Sequence, residues 1–298
     1  MLSFECDNAV QYISMTLETE KYFEAREHEI EQQVIYLYLK YGSVDAVLAH
    51  TKHNLPYSTM SIYRLLDKYE VVKSASRNTR IDEALAFMSY LAEEKIPLET
   101  LYSKFPPSFQ TSVQTMHRIL SHVKKGVTRR AATALVVSPE VDPQSILIAK
   151  DNSSSNLRFG KISGSFTLPM TFSKKNEPPS QSILRVLQQE VFSQSVLDRC
   201  FPYEIISDNL KPFWRVEILD IKLSVYGLQV SEQQLKGLSS FRLSDFRFVD
   251  KAGLKNFEGN LRPGILDISE IYEKAVLGEE YEYVSVSDLN LALASSFA

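Results

Sequence analysis

Two groups of side chains have the types and spacing to do chemistry. The first lies in the stretch 168–192, where a polar loop runs into Pro178-Pro179 and then an amphipathic helix. Ser180 is placed to cap that helix, and Ile183, Leu184, Leu187 and Val191 recur at helical spacing on one apolar face. Glu177 precedes the helix, and Arg185, Gln189 and Glu190 ride on it. Positions 186, 189 and 190 are related by i, i+3 and i, i+4, so they share one helix face. A hard cation such as Mg²⁺ takes several oxygen ligands, with carboxylates among them. That face offers Val186, Gln189 and Glu190, so Glu190 is its single candidate metal ligand and no catalytic residue is assigned. Metal-driven hydrolysis would also need a bound water and a carboxylate base, for which Asp245 or Glu258 are the later candidates.

The second group suits a nucleic acid. Ser58-Thr-Met-Ser-Ile-Tyr-Arg-Leu-Leu66 aligns with Ser112-Val-Gln-Thr-Met-His-Arg-Ile-Leu120, sharing a serine cap, a hydroxyl, an arginine and an apolar pair. Each copy follows a short apolar segment, 43–49 in the first and 96–102 in the second. Helix, turn and capped second helix make tandem helix-turn-helix units. Between Lys52 and Arg80 six cations face two acids, a balance of +4; between Lys104 and Arg130 six cations face none, a balance of +6. Lys and Arg contacts to phosphate dominate DNA affinity, and the first residues of a recognition helix reach the base edges. The DNA-contact candidates are Ser58, Thr59, Ser61 and Arg64 in the first copy and Ser112, Gln114, Thr115 and Arg118 in the second. Lys124, Lys125, Arg129 and Arg130 come after them. The same folds also serve as protein-binding modules, which is the competing use.

Other elements must hold these groups in place. Residues 1–130 read as helical throughout, with Gly42 the only glycine before Gly126 and a natural stop for the helix ending near Leu39. Residues 132–138 and 145–150 are β-branched, apolar runs separated by Pro139 and Pro143, and read as a strand pair. A third strand or a loop spans 157–166. Residues 200–206 and 213–225 read as further strands, 241–249 as strand or loop, and 265–275 as a closing helix. The tail from Val276 reads as a segment that is flexible or docks on another chain.

The stretch 168–192, set behind these strands, resembles the Nudix box, a pattern of glycine, five residues, glutamate, seven residues, then Arg-Glu-aliphatic-any-Glu-Glu-any-Gly. Glu177, Arg185, Leu187 and Glu190 match it, and Pro169 matches the proline that often precedes it. Thr171 and Phe192 replace the glycines, while Val186 and Gln189 replace two glutamates. The resemblance implies a mixed sheet with the box helix laid on it. It also implies a salt bridge from Glu177 to Arg185 tying loop to helix, and a Mg²⁺ that the helix carboxylates chelate against a diphosphate. The pair is kept here and the metal face is depleted. Family members act on nucleoside diphosphate derivatives, and Phe159, Phe166, Phe172, Trp214 and Tyr226 are the candidates to stack on a base by composition. Some Nudix-like regulators carry a winged helix, although here the helix-turn-helix part comes first.

Composition sets limits. The 298 residues carry a formal net charge of −4, so no polyanion partner is demanded globally. Cys6 and Cys200 are far apart without metal or disulfide spacing, and the start lacks the basic and apolar runs of a signal peptide. A reduced, cytoplasmic setting is the expectation.

The expected architecture is an all-helical N-terminal region with tandem helix-turn-helix units, followed by a Nudix-like α/β/α sandwich with a mixed sheet. Expected boundaries are 1–80, 81–130, 131–276 and a tail 277–298. The expected function is a DNA-binding transcriptional regulator whose degenerate box does not hydrolyse and serves nucleotide sensing or assembly. Residues 1–40 are candidates for homodimerisation. The alternatives are a divergent Mg²⁺-dependent hydrolase of a nucleoside diphosphate derivative and a protein-interaction scaffold.

Overall fold

The computed structural model describes residues 25–74, 121–122, 125–128, 130–152, 164–174, 176–207, 210–218, 221–262, 264–276 and 283–286. Ser112, Gln114, Thr115 and Arg118, the DNA-contact candidates of the second helix-turn-helix copy, lie outside these residues, as do Lys124, Arg129 and Phe159.

Three helices open the described chain: α1 (25–41), α2 (Val44–His50) and α3 (Thr59–Lys68). Ser43 and Ser58 cap α2 and α3 by accepting from the backbone N–H of Ala46 and Ser61, as the serine-before-apolar pattern demands. Gly42 ends α1 at φ +81° and donates its N–H to the Tyr38 carbonyl at 2.7 Å.

The strands are β1 (Arg130–Pro139), β2 (Ile146–Asp151), β3 (Phe166–Thr167), β4 (Met170–Ser173), β5 (Trp214–Ile218), β6 (Ile221–Val230), β7 (Leu243–Val249) and β8 (Tyr283–Val286). They form two sheets, ordered β4-β1-β6-β5-β8 and β3-β2-β7. The first is mixed: β1 runs parallel to β6 over its whole length, from Arg130 opposite Ile221 to Pro139 opposite Val230, and antiparallel to β4. The second is antiparallel. β1 and β2 are therefore strands as expected but not a pair, because they belong to different sheets, each flanked there by other strands. Residues 203–205, expected in a strand, form a short 3₁₀ turn instead. The segment 283–286, expected to be loose or to dock elsewhere, adds to the sheet edge beside β5 in parallel register.

β1 is buried on both sides, which gives its run of apolar residues the look of a central parallel strand. Ala132, Ala134 and Val136 belong to one core with Ile265, Ile268 and Tyr272 of the closing helix (Ile265–Val276). Leu135 and Val137 belong to a second core with Ile183, Val186, Leu187 and Val191 of the box helix. That second core also takes in Val34, Ile35 and Leu39 of α1 and Ile62 and Leu66 of α3, all of them fully buried. The first helices thus have no separate core among the described residues. They complete the layer that covers the sheet, and each such side chain contributes about 1.5–3 kcal/mol on leaving water.

Candidate functional site

The box helix begins at Pro179 and runs as α4 (Pro179–Val186) before it widens into a π-helical turn over Leu187–Val191. Ser180 does not cap it. Pro178 stands at the N-cap without a side-chain bond, and Pro179 supplies the first helical position, where a missing N–H costs nothing. Ser182 ties the first turn down: Thr133 of β1 donates to its hydroxyl at 2.9 Å and bonds Ser173 of β4 at 2.8 Å. In the π turn the N–H of Phe192 reaches back five residues to the Leu187 carbonyl, at 2.7 Å. Every residue from Leu187 to Val191 is buried.

Arg185 is fully buried and forms an ion pair with Glu177, whose side chain is 2 % exposed. Its Nη1 also donates to the Phe172 carbonyl at 3.0 Å and its Nε to the Lys73 carbonyl at 2.9 Å. One guanidinium therefore joins the loop, the edge strand, the helix and the segment after α3. Burial pushes the Glu177 carboxyl up, but the bond from Arg185, the N–H of Lys174 and the neighbouring positive charges outweigh it, and the net shift is downward.

The next residues are turned to a structural use that the spacing did not signal. The Gln188 amide donates to the Glu70 carbonyl at 2.8 Å and accepts from the Val72 N–H at 2.8 Å. That is the pair of bonds a neighbouring strand would make. Arg199 lies over the Tyr69 ring at 4.4 Å, and a hydrogen bond from the Tyr203 hydroxyl to Glu70 joins the same contact. Side chains of the box region thus hold residues 69–73 through their backbone, a carboxylate and an aromatic ring.

Val186, Gln189 and Glu190 meet different fates. Val186 is 0 % exposed in the apolar core. Gln189 is buried, and its Nε2 has no hydrogen-bond partner. Glu190 accepts from the Met170 N–H at 2.7 Å and has the Arg242 guanidinium 3.7 Å away. Arg242 is brought there by the loop 237–243, which is sewn to the end of the box helix. Ser239 donates its N–H to the Val191 carbonyl, the Ser193 N–H donates back to the Ser239 carbonyl, and the Ser240 hydroxyl donates to the Gln189 carbonyl. Arg242 Nε then donates to the Leu39 carbonyl at 2.8 Å, at the end of α1. No group of three or more His, Cys, Asp or Glu able to hold a metal occurs among the described residues. The residues at the box face do not fit a divalent ion, because they supply one hydrocarbon, one neutral amide and one carboxylate already facing a cation.

The other candidates stand elsewhere. Asp245 lies on β7, exposed, and its carboxylate accepts from Arg247 at 2.7 Å, while Glu258 is exposed after the short helix 251–255. Phe166, Phe172, Trp214 and Tyr226 are buried in the cores, so none offers a free face for a base. Arg130, a DNA-contact candidate, is instead the first residue of β1 and lies over the Phe172 ring, and Arg247 lies over Phe166. On α3, Ser58 is spent as a cap and Ser61 bonds it, whereas Thr59, Met60 and Arg64 are exposed. Lys68 pairs with Glu31 and Lys73 with Asp67, so part of the local positive balance is neutralised within the helices. Lys125 is exposed in a turn.

No protein-family model matches the chain, and no curated protein matches it either. Among solved structures it is similar to an ADP-ribose pyrophosphatase from Streptococcus suis at 11 % identity, covering 53 % of this chain and 99 % of that one, with a TM-score of 0.36. It is similar to a Nudix hydrolase from Nitrosomonas europaea at 11 % identity, covering 54 % and 79 %, with a TM-score of 0.36. A MutT protein from Methanosarcina mazei shares 14 % identity over 50 % of this chain and 96 % of that one, with a TM-score of 0.35. These likenesses are shallow. No described helix is long and apolar enough to cross a membrane.

Proposed function

We propose that this chain is a binding protein of the regulator type, in which a Nudix-like α/β domain carries a helix-turn-helix and does not hydrolyse. The observation that carries this reading is the state of Glu190. It is the one carboxylate on the box face, and it is engaged by the Met170 N–H and the Arg242 guanidinium. The Glu177–Arg185 frame is kept, and Arg185 together with Gln188 holds the residues after α3. The box is used as a joint.

In this reading α3 is the DNA-contacting helix, supported by exposed Thr59 and Met60 in its first turn and by exposed Arg64. The α/β domain orients it, and a nucleotide-type ligand would act only through different affinity for two arrangements of that joint.

Two assays test the reading. Purified protein is incubated with nucleoside diphosphate derivatives and Mg²⁺, beside Glu190→Gln. No turnover is expected, and turnover that Glu190→Gln abolishes would establish the divergent hydrolase instead. Duplex binding is measured by fluorescence anisotropy for the wild type and for Arg64→Ala combined with Arg118→Ala. Weaker binding with a smaller salt dependence is expected for the variant. Equal affinity of the two proteins would remove DNA contact and leave a protein-interaction scaffold.

A further inference from the structure

We infer that Arg242 is a tethered internal cation, which takes beside Glu190 the place a soluble ion would take and fastens the end of α1 to the box helix. The inference rests on the non-hydrolytic reading of the box, and it adds the residue that replaces the metal and the structural use of the replacement.

Glu190 is 8 % exposed, and a carboxylate removed from water needs a compensating positive group. Its own helix supplies none: Val186 and Gln189 are uncharged, and Arg185 is committed to Glu177. The compensation comes from residue 242, across the chain, with Nη1 3.7 Å from the carboxylate. The same guanidinium donates from Nε to the Leu39 carbonyl, one of the last in α1, where the helix leaves acceptors unpaired and its dipole is negative. One cation therefore faces two negative partners on separate elements, as a bridging ion does.

Three features build this position. The loop 237–243 is bonded to the end of the π turn, with Ser239 on Val191 and Ser240 on Gln189. The backbone of Arg242 is held too, since the Asn152 N–H donates to its carbonyl at 3.0 Å. Lastly, residue 42 is glycine, and a Cβ built there would overlap the Arg242 guanidinium. The absence of a side chain at 42 admits the cation.

The test is thermal unfolding of the full chain as wild type, Arg242→Ala, Glu190→Gln and the double variant. Each is measured alone, with guanidinium ion at low millimolar concentration, and with Mg²⁺. Each single substitution is expected to lower Tm by several degrees, and the double variant to lose no more than the worse single. Guanidinium is expected to restore part of the loss in Arg242→Ala and none in the double variant, since a ligand stabilises only the state that binds it. Additive losses, or equal effects of guanidinium on both, overturn the inference. A Glu190-dependent rise of the wild-type Tm with Mg²⁺ overturns it as well, because the ion would then hold the place given to Arg242. If Arg242→Ala does not fold, Arg242→Lys is compared with Arg242→Met. Lysine is expected to melt above methionine only while Glu190 is present, and equal melting overturns the inference. The turnover assay decides the non-hydrolytic reading separately.

Discussion

Arg185 and Glu177 face each other across eight residues of chain with both side chains withdrawn from water, at 0 % and 2 % exposure. The guanidinium has two further carbonyl acceptors, so each of its three nitrogens is hydrogen-bonded. Removing one member of such a pair leaves the other buried and uncompensated. Arg185→Met is expected to destabilise the chain by roughly 3–5 kcal/mol, measured by denaturant unfolding. Arg185→Lys should recover little, because an ammonium cannot span Glu177, Phe172 and Lys73 at once.

Acid should act through the same pair. The folded Glu177 carboxyl titrates below the ordinary carboxylate range, whereas in the unfolded chain it returns to that range. The group therefore stabilises the fold fully above the ordinary range, and the contribution is lost as pH falls through the depressed folded value. As pH is lowered from neutral through that window, the wild-type Tm is expected to fall more steeply than that of Glu177→Gln. Parallel curves would show that Glu177 is not part of the acid response.

Gln188 offers a sharper probe, because it bonds only backbone. Gln188→Ala leaves the Val72 N–H and the Glu70 carbonyl without these partners, at about 0.5–1.5 kcal/mol for each bond, since Val72 is half-buried and Glu70 exposed. Hydrogen exchange at the Val72 amide is expected to accelerate, with the amides of β1 and β6 unchanged. Gln188→Glu keeps the acceptor and loses the donor, so Val72 should exchange more slowly in that variant than in Gln188→Ala.

Gly42 carries two demands at once, a φ of +81° and room for Arg242. Gly42→Ala is expected to cost more than the ~1 kcal/mol of an ordinary left-handed position, read as a fall in Tm. Gly126 also has positive φ, at +61°, but nothing stands within 4 Å of its would-be Cβ. Gly126→Ala should be the milder change, and a reversed order would remove the steric part of the explanation.

What the sequence discloses is governed by how local each relationship is. Glu177 and Arg185 are eight residues apart and a helical repeat links Ile183, Leu187 and Val191, so the ion pair between loop and helix and the buried helix face are legible. Ser43 and Ser58 announce their helices in the same way. Gln188 meets Val72 from 116 residues away, and Arg242 meets Glu190 across a loop whose pattern looks like any half-exposed strand. The π turn leaves no trace in a 3.6-residue period, because it adds a residue without changing which types are apolar. The division of the strands into two sheets is equally silent, since β1 and β2 are both apolar enough to be central. The aromatic residues mislead for the opposite reason: composition marks them as stacking surfaces, and burial uses them as core.

The core shared by the first helices and the sheet bears on how the chain is made. Synthesis delivers α1, α2 and α3 first, with Val34, Ile35, Leu39, Ile62 and Leu66 already committed to an apolar face. Among the described residues their partners in that core include Leu135, Val137, Ile183, Leu187 and then Tyr226, Leu228 and Val230, all emerging later. Until β6 leaves the ribosome the helices have only part of their cover, and a nascent chain halted before that point holds an unsatisfied greasy surface. A fragment starting at Arg130 would have the converse defect, a core that has lost the apolar residues of α1 and α3. The two parts are born apart and hide their apolar faces only together.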